Sequence, residues 1–333
     1  MNWRVSSLLR KAALCLAFML LLCAMALPQS DESSDFQRDL TLANAGDVSA
    51  QLRVGLAYNR GLVTHANYQE AFRWLEAAAD GGSEQAQAWL GSLYLLGHGI
   101  AADPDKAYEI ESPLASQNVP TAQLFLGLMY LTGKGAAKDA TKAANLFRAA
   151  QEAGDARAID MLGVLYQRGE SVPRDNTLAE YFYRRAAERG DDWGATHLGD
   201  LYLKGLLGAP DYGSALSNFT AAAQQGNFAA QQRLGLMYEK GKGVSKDFAQ
   251  AVKWYTMSAC RGYGTAQLSL AGMYQRGYGV SKDLVRAYAW ALLAEQNNDP
   301  AATAKLEKLG KSLSADQVRQ AKTMSTTLVK TAQ

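Results

Sequence analysis

A 36-residue repeat constrains this 333-residue chain more than any other feature of its sequence. The string GKGVSKD at 241–247 is one of seven related copies that follow each other without an insertion. Its first glycine recurs at Gly61, Gly97, Gly133, Gly169, Gly205, Gly241 and Gly277. An uninterrupted period of this length is typical of stacked supersecondary units, so the sequence predicts a repeat array instead of two ordinary domains.

Two further columns keep the same period. A tyrosine lies three residues before each loop glycine, at Tyr58, Tyr94, Tyr130, Tyr166, Tyr202, Tyr238 and Tyr274. A second glycine lies six residues before it in six copies, at Gly55, Gly91, Gly127, Gly163, Gly199 and Gly235. A glycine inside a helix costs about 1 kcal/mol relative to alanine. We therefore expect close helix–helix contact at this second glycine column.

Each repeat is predicted to contain two helices joined by a short glycine loop. Residues before the loop show helical apolar spacing at Ala230, Leu234 and Met237. The second helix begins after Asp247, a good N-cap residue, and ends near Gly262. The predicted fold class is all-α, with repeats at 47–82, 83–118, 119–154, 155–190, 191–226, 227–262 and 263–298.

A repeat array needs terminal segments that cover its ends. We expect an N-terminal capping segment at 27–46, with a starter helix over Ser34–Ala45, and C-terminal capping helices within 299–333. Ser314 and Gln317 have the spacing of a capping box and predict the start of the last helix.

The first 26 residues have the pattern of a signal peptide. A basic segment with Arg4, Arg10 and Lys11 precedes an apolar run too short for a comfortable membrane span, and Ala24-Met25-Ala26 provides a cleavage pattern. An uncleaved anchor and a lipoprotein attached at Cys23 are alternatives. The sequence thus predicts export, to the periplasm of a bacterium or to the medium.

Cleavage changes the charge and the cysteine content. Three of the 34 basic residues lie in the first 26, so 31 basic and 32 acidic residues remain. Nucleic-acid binding needs a concentrated basic face, which this balance does not provide. Cys15 and Cys23 would leave with the signal peptide, so we expect Cys260 to have no intramolecular partner.

The repeat pattern A-x-x-x-L-G-x-x-Y-x-x-G-x-G-V-x-x-D, continued by A-x-x-W-Y-x-x-x-A-x-x-G, is best seen over 230–262. It resembles the Sel-one-like repeat family, relatives of the tetratricopeptide repeats, and the resemblance covers 47–298. The resemblance implies an α/α right-handed superhelical solenoid whose concave surface binds proteins or peptides. It also implies roles in the cell envelope, in regulation or in host contact.

The sequence shows no motif for catalysis, a metal or a cofactor. GKGVSKD is no phosphate loop, because a helix precedes it and Asp247 occupies the following helix N-terminus. The three histidines lack ligand spacing. A cysteine-rich branch of the resembled family is linked to penicillin binding and lactam hydrolysis, but this chain lacks paired cysteines within its repeats. A lactam- or peptidoglycan-directed hydrolase is therefore the alternative, and direct binding of peptidoglycan or an envelope glycan is a further one.

Specificity in a repeat protein must lie in the columns that vary. Three variable columns of the first helix share one face, which we call the variable face: Arg53, Trp89, Phe125, Met161, His197, Arg233 and Ser269; Leu56, Ser92, Leu128, Val164, Asp200, Leu236 and Gly272; and Arg60, Leu96, Thr132, Arg168, Lys204, Lys240 and Arg276. We expect this face to be concave and to bind a protein or peptide partner.

The character of the variable face changes along the chain. The predicted partner site combines apolar residues of repeats two and three with a basic rim in repeats four to seven: Trp89, Leu96, Phe125, Leu128, Arg168, Lys204, Lys240 and Arg276. Pro113 makes the second helix of repeat two irregular. The alternative interpretation is that the apolar residues pack against that helix as core, and burial of both Trp89 and Phe125 would favour it.

Overall fold

The computed structural model describes residues 31–61 and 67–332, and seventeen helices lie in these ranges. In chain order they are α1 (Asp31–Asn44), α2 (Val48–Arg60), α3 (Tyr68–Asp80), α4 (Glu84–Leu96), α5 (Pro104–Ser116), α6 (Pro120–Thr132), α7 (Ala140–Glu152), α8 (Ala156–Arg168), α9 (Asn176–Glu188), α10 (Asp192–Lys204), α11 (Tyr212–Gln224), α12 (Phe228–Lys240), α13 (Phe248–Cys260), α14 (Gly264–Arg276), α15 (Leu284–Gln296), α16 (Ala302–Gly310) and α17 (Ala315–Ala332). The described residues contain no strand, so the predicted all-α fold class is confirmed.

The helix bounds repeat every 36 residues. The even-numbered helices from α2 to α14 are the first helices of the seven repeats, and the odd-numbered helices from α3 to α15 are the second helices. Contacts divide the described chain into two compact units, residues 34–61 with 67–230 and residues 231–332.

Glycine loops end the first helices and start the second ones. In GKGVSKD, Gly241 has φ +68°, a left-handed conformation that favours glycine. The Asp247 carboxylate accepts hydrogen bonds from the backbone N–H groups of Ala249 and Gln250, at 2.9 and 3.0 Å. The Asp247 N–H donates to the Tyr238 carbonyl at 3.0 Å, and the corresponding hydrogen bond is present in the other six repeats. GKGVSKD is therefore a connector with a cap at each end.

The second glycine column lies at close helix–helix contacts, as predicted. A Cβ atom on Gly235 would lie 2.5 Å from Cδ1 of Tyr255, and one on Gly163 would lie 2.6 Å from Cδ1 of Tyr183. The neighbouring side chains come from the second helix, twenty residues further along the chain. They form a column of Leu75, Glu111, Phe147, Tyr183, Phe219 and Tyr255, the glycine-facing column.

Each unit has its own buried core. Within residues 34–61 and 67–230, the largest fully buried side chains include Tyr183, Phe147 and Phe219. Within 231–332, Tyr255 and Trp290 pack with the alanines and leucines of α13 to α15. The core is thus made of side chains that fill the space between paired helices of small residues.

The terminal helices flank the repeats. α1 begins three residues before the predicted starter helix, and α16 and α17 follow the last repeat. The predicted capping box is present: the Ser314 N–H donates to Gln317 Oε1 at 2.9 Å, and the Gln317 N–H donates to Ser314 Oγ at 3.3 Å. None of the helices in the described ranges is both long and apolar enough to cross a membrane.

Two predictions concern the N-terminal segment. The predicted signal peptide, residues 1–26, lies outside the described residues. Cys260 is disulfide-bonded in the structure of the whole chain. The prediction that Cys260 has no intramolecular partner concerns the chain after removal of residues 1–26, so it stays a prediction. The other cysteines, Cys15 and Cys23, also lie outside the described residues.

Candidate partner-binding face of the first helices

The three columns of the variable face differ in exposure. The last column is exposed in every repeat, including Arg60, Leu96 and Thr132. The middle column is mostly covered, with Ser92, Val164 and Asp200 buried. The variable face is therefore open along one edge and packed along its centre.

Trp89 and Phe125 are 9% and 7% exposed. Their rings meet edge to face with centroids 5.1 Å apart, and both belong to a cluster with Leu75 and Leu93. This burial favours the core interpretation over an exposed aromatic groove. The cluster differs from the one expected, because its members come from first helices and from α3 more than from α5.

The other two predicted apolar residues are more open. Leu96 is 54% exposed at the end of α4, whereas Leu128 is half-buried beside the cluster of Trp89 and Phe125. Leu95 and Leu131, which neighbour the predicted site, are buried. Of the predicted apolar site, only Leu96 is a large exposed side chain.

The predicted basic rim is exposed but paired with acids. Arg168 lies 3.7 Å from Glu170, and Lys204 lies 3.5 Å from Asp200. In the unit 231–332, Glu239 lies within 3.0 Å of Lys240 and 3.5 Å of Arg276. Exposed pairs of this kind contribute at most about 1 kcal/mol. The rim thus carries mixed charge instead of a continuous positive one.

Arg157 is a residue that the sequence reasoning missed. Its guanidinium lies 4.8 Å from the ring centroid of Trp89 and 5.8 Å from that of Phe125. Asp155 accepts from Arg157 Nε and Nη2 at 3.1 and 2.5 Å, and Thr121 Oγ1 accepts from Nη2 at 3.3 Å. Arg157 therefore connects the apolar cluster of repeats two and three with the carboxylates of repeat four.

A buried carboxylate and a histidine join repeats four and five. Asp160 is buried, and its Oδ1 lies 2.7 Å from Nδ1 of His197. Burial lowers the pKa of His197, but the charge and hydrogen bond of Asp160 outweigh burial and raise that pKa above its ordinary value. Asp160 therefore favours the charged form of His197.

Two further carboxylates begin α10. Burial, followed by the charge of Asp160, raises the pKa of Asp191 to about 7. Burial also raises the pKa of Asp192, although Asn227 Nδ2 donates to its Oδ2 at 3.2 Å. A group of partly desolvated acids stabilises an added cation, since the cation lowers the free energy of their charged forms. The cations are already present in the chain, because the charge of Arg60 lowers the pKa of Asp192 and that of Arg157 lowers the pKa of Asp191.

Trp193 lies between these charged groups and is 38% exposed. Its ring centroid lies 5.9 Å from that of His197 and 5.5 Å from that of Phe228. A large aromatic side chain that keeps one side open beside buried charges is typical of a binding anchor.

The residues of this site that the variable face does not include lie at the second position of the first helices. Arg157 and Trp193 occupy that position in repeats four and five, while Thr121 and Gln85 occupy it in repeats three and two. The position varies as freely as the three columns of the variable face, so the same comparison of repeats could have found it. Asp160 and His197 are one period plus one residue apart, and only the folded chain pairs them.

The described residues contain no group of three side chains that could hold a metal ion. The arrangement offers aromatic surface, the guanidinium groups of Arg60 and Arg157, and several carboxylates, which are groups for binding. A family model for the Sel1 repeat matches 48–83, 84–110, 120–155, 156–191, 194–227, 228–263 and 264–299. The chain belongs to the Sel1 repeat family.

One solved structure agrees with this membership, and a second is similar in sequence. A Sel1 repeat protein from Oxalobacter formigenes is 30% identical, with a TM-score of 0.55, over 87% of this chain and 85% of that one. A protective antigen of uropathogenic Escherichia coli with an SLR fold is 28% identical, with a TM-score of 0.40, over 91% of this chain and 73% of that one. No curated protein matches the chain closely enough to count as a relative. This protein is thus a Sel1 repeat scaffold, and the predicted solenoid class is confirmed at the level of the family.

Proposed function

We propose that this Sel1 repeat protein binds a protein or peptide partner on the first-helix side of repeats two to five. The observation that carries the proposal is Trp193, a half-open tryptophan flanked by Asp191 and Asp192. Binding energy at protein interfaces concentrates in such aromatic anchors with charged neighbours. We expect a partner segment that places an apolar side chain on Trp193.

The surroundings of Trp193 favour binding by a fixed surface. Asp160 fixes His197, and Arg157 is held by Asp155 and by the rings of Trp89 and Phe125. A surface whose side chains are already ordered loses less entropy on binding. In this proposal Trp89 and Phe125 act through Arg157, whose position they support. Leu96, Leu128, Arg168 and Lys204 lie on the same side of repeats two to five and contact the partner.

Site-specific photocrosslinking tests the proposal. A benzophenone amino acid at Trp193 should crosslink to a partner in living cells, and the same group at Tyr181 should not. Tyr181 is a matched control, because it is also an exposed aromatic residue but lies on a second helix, α9. Equal crosslinking from both positions, or none from position 193, would reject the site.

We also propose that the protein acts in the cell envelope after export, most simply in the periplasm. The basic, apolar and small-residue pattern of residues 1–26 supports export. Intact mass of the protein recovered from the periplasm should correspond to a chain that begins at Leu27. A chain that keeps residues 1–26, or that remains in the cytoplasm, would contradict this.

A further inference from the structure

A groove in repeat two lies away from the variable face. It has a volume of about 520 Å³, and its floor is formed by Leu90 of α4 with Ile110 and Leu114 of α5. Because successive helix residues are rotated by about 100°, Leu90 and Gln87 lie on the opposite half of α4 from Ser92 and Trp89. The groove is therefore separate from the proposed partner-binding face.

Two columns of the repeat pass through the groove in repeat two. Ile110 occupies a column that holds a larger aromatic side chain in four of the six other repeats, Trp74, Phe182, Trp254 and Trp290, and Leu146 and Asn218 in the other two. The column of Leu90 is otherwise buried, at Val54, Leu126, Leu162, Leu198, Leu234 and Leu270. Leu90 alone of this column is only half-buried. The size of the side chain at 110 does not by itself account for this, because Leu126 and Leu198 are buried in repeats that have Leu146 and Asn218 at that position.

The rim of the groove is acidic. Glu84 and Glu109 line it together with the amides of Gln87 and Gln117, and no basic residue lines it. Neither carboxylate makes an ion pair or a side-chain hydrogen bond within residues 31–61 and 67–332. Lys106, one turn before Glu109, donates to the hydroxyl of Tyr94 instead, at 2.7 Å. Two carboxylates beside an apolar floor therefore make no ion pair, although the charge of Glu109 acts on Lys106.

We propose that this groove binds a lysine or arginine side chain, with the adjoining backbone, from a protein partner. The aliphatic stem of such a side chain covers Leu90, Ile110 and Leu114, and its charged head reaches the carboxylates at the rim. Gln87 and Gln117 provide donors and acceptors for the adjoining peptide group. The volume exceeds that of one side chain, so a short extended segment fits.

The isoleucines of the chain provide a sharp experiment. There are three, Ile100, Ile110 and Ile159, so a spectrum of selectively labelled isoleucine methyl groups has three signals. Ile110 reports on the groove, and Ile159, which is fully buried in α8, reports on the fold. The probe is a capped pentapeptide with a central lysine between alanines and terminal glycines. Its neutral counterpart carries norleucine, which has the same stem without the charge.

The lysine peptide should shift the Ile110 signal in a saturable way and leave Ile159 unchanged. It should bind at least about fivefold more tightly than the norleucine peptide, the range that two exposed ion pairs contribute. The variant Glu84→Gln/Glu109→Gln should reduce lysine affinity to the norleucine level. Glu76→Gln/Glu152→Gln is the matched control, because it removes two exposed glutamates of other second helices. The control should keep the wild-type affinity.

Three results would overturn the proposal. An unmoved Ile110 signal would show that the groove takes no basic side chain. If the norleucine peptide bound as tightly as the lysine peptide, the groove would be an apolar site. If the control variant lost as much lysine-peptide affinity as Glu84→Gln/Glu109→Gln, the effect would come from net charge and not from the groove. A shifted Ile159 signal in a variant would identify a change of fold. Since Trp193 lies elsewhere, failure here leaves the photocrosslinking result unaffected.

Discussion

The second helices of repeats two and six occupy the same place in the repeat but place different side chains against the glycine of the first helix. In α13, Tyr255 covers Gly235 and donates its hydroxyl proton to Glu239 Oε2 at 2.8 Å. In α5, Glu111 lies over Gly91, is 1% exposed, and has no hydrogen-bond partner for either carboxylate oxygen among the described residues. In repeat six the residue that packs on the glycine of the first helix is a tyrosine whose hydroxyl is hydrogen-bonded. In repeat two it is a glutamate whose carboxyl group has no hydrogen-bond partner among the described residues.

The difference extends along α5. Leu114 occupies a column that is alanine or serine in the other repeats. Repeat two therefore has its large apolar side chain at Leu114, about one turn after Glu111. The helix also continues through Pro113, which lacks the N–H of a regular helical hydrogen bond. The comparison teaches that the repeat frame tolerates a poor second helix, because each repeat is held by neighbours on both sides.

The largest expected effect separates the two helices directly. Tyr255→Ala should lower the free energy of unfolding by about 3–5 kcal/mol, as truncation of a buried aromatic residue does. Glu111→Ala should change it by less than about 1 kcal/mol, because lost packing is offset by removal of an unsatisfied buried carboxyl group. Urea unfolding followed by circular dichroism measures both. Equal losses in the two variants would show that Glu111 packs as well as Tyr255.

The pH dependence of stability is expected to sharpen the comparison. Burial raises the pKa of Glu111 to about 10 from an ordinary 4.5, so the folded chain keeps a proton that the unfolded chain releases. Stability should therefore fall as pH rises between these values, by at most about 1.4 kcal/mol per pH unit. Between pH 7.5 and 9, Asp191, whose pKa is about 7, contributes little.

Urea midpoints between pH 7.5 and 9 check this expectation. Glu111→Gln should flatten the slope, whereas Glu76→Gln, which removes an exposed carboxylate of α3, should keep it. A wild-type slope in Glu111→Gln would mean that Glu111 is ionised in the folded chain or that its burial is relieved before unfolding.

The smallest effect concerns the groove beside α5. Ile110→Trp restores the side chain that Trp74 and Trp290 provide at this column, where both are buried. It should raise the free energy of unfolding by up to about 1 kcal/mol, because the groove has room for it and apolar area is covered. Asn218→Trp is the matched control in repeat five, since Asn218 Nδ2 donates to the Ser214 carbonyl. If Asn218→Trp were also stabilised, or if Ile110→Trp were destabilised, the groove of repeat two would not differ from the same position in repeat five.

Much of the fold could be predicted from the sequence, because its rules are local and repeated. The left-handed Gly241, the Asp247 cap and the contact at Gly235 each depend on residues within one repeat. Seven copies make such rules visible in a single chain. The site was harder to predict, because the pattern that marks the variable face does not say which of its residues are covered.

The sequence by itself determined the period, the helix bounds and the membership of the Sel1 repeat family. Only the tertiary structure decided that Trp89 and Phe125 are buried, that Arg157 lies against them, and that Asp160 holds His197. The physical reason is the range of the interactions. Caps and glycine contacts act within one repeat, whereas burial and charge on the variable face depend on side chains that different repeats bring together when the helices stack.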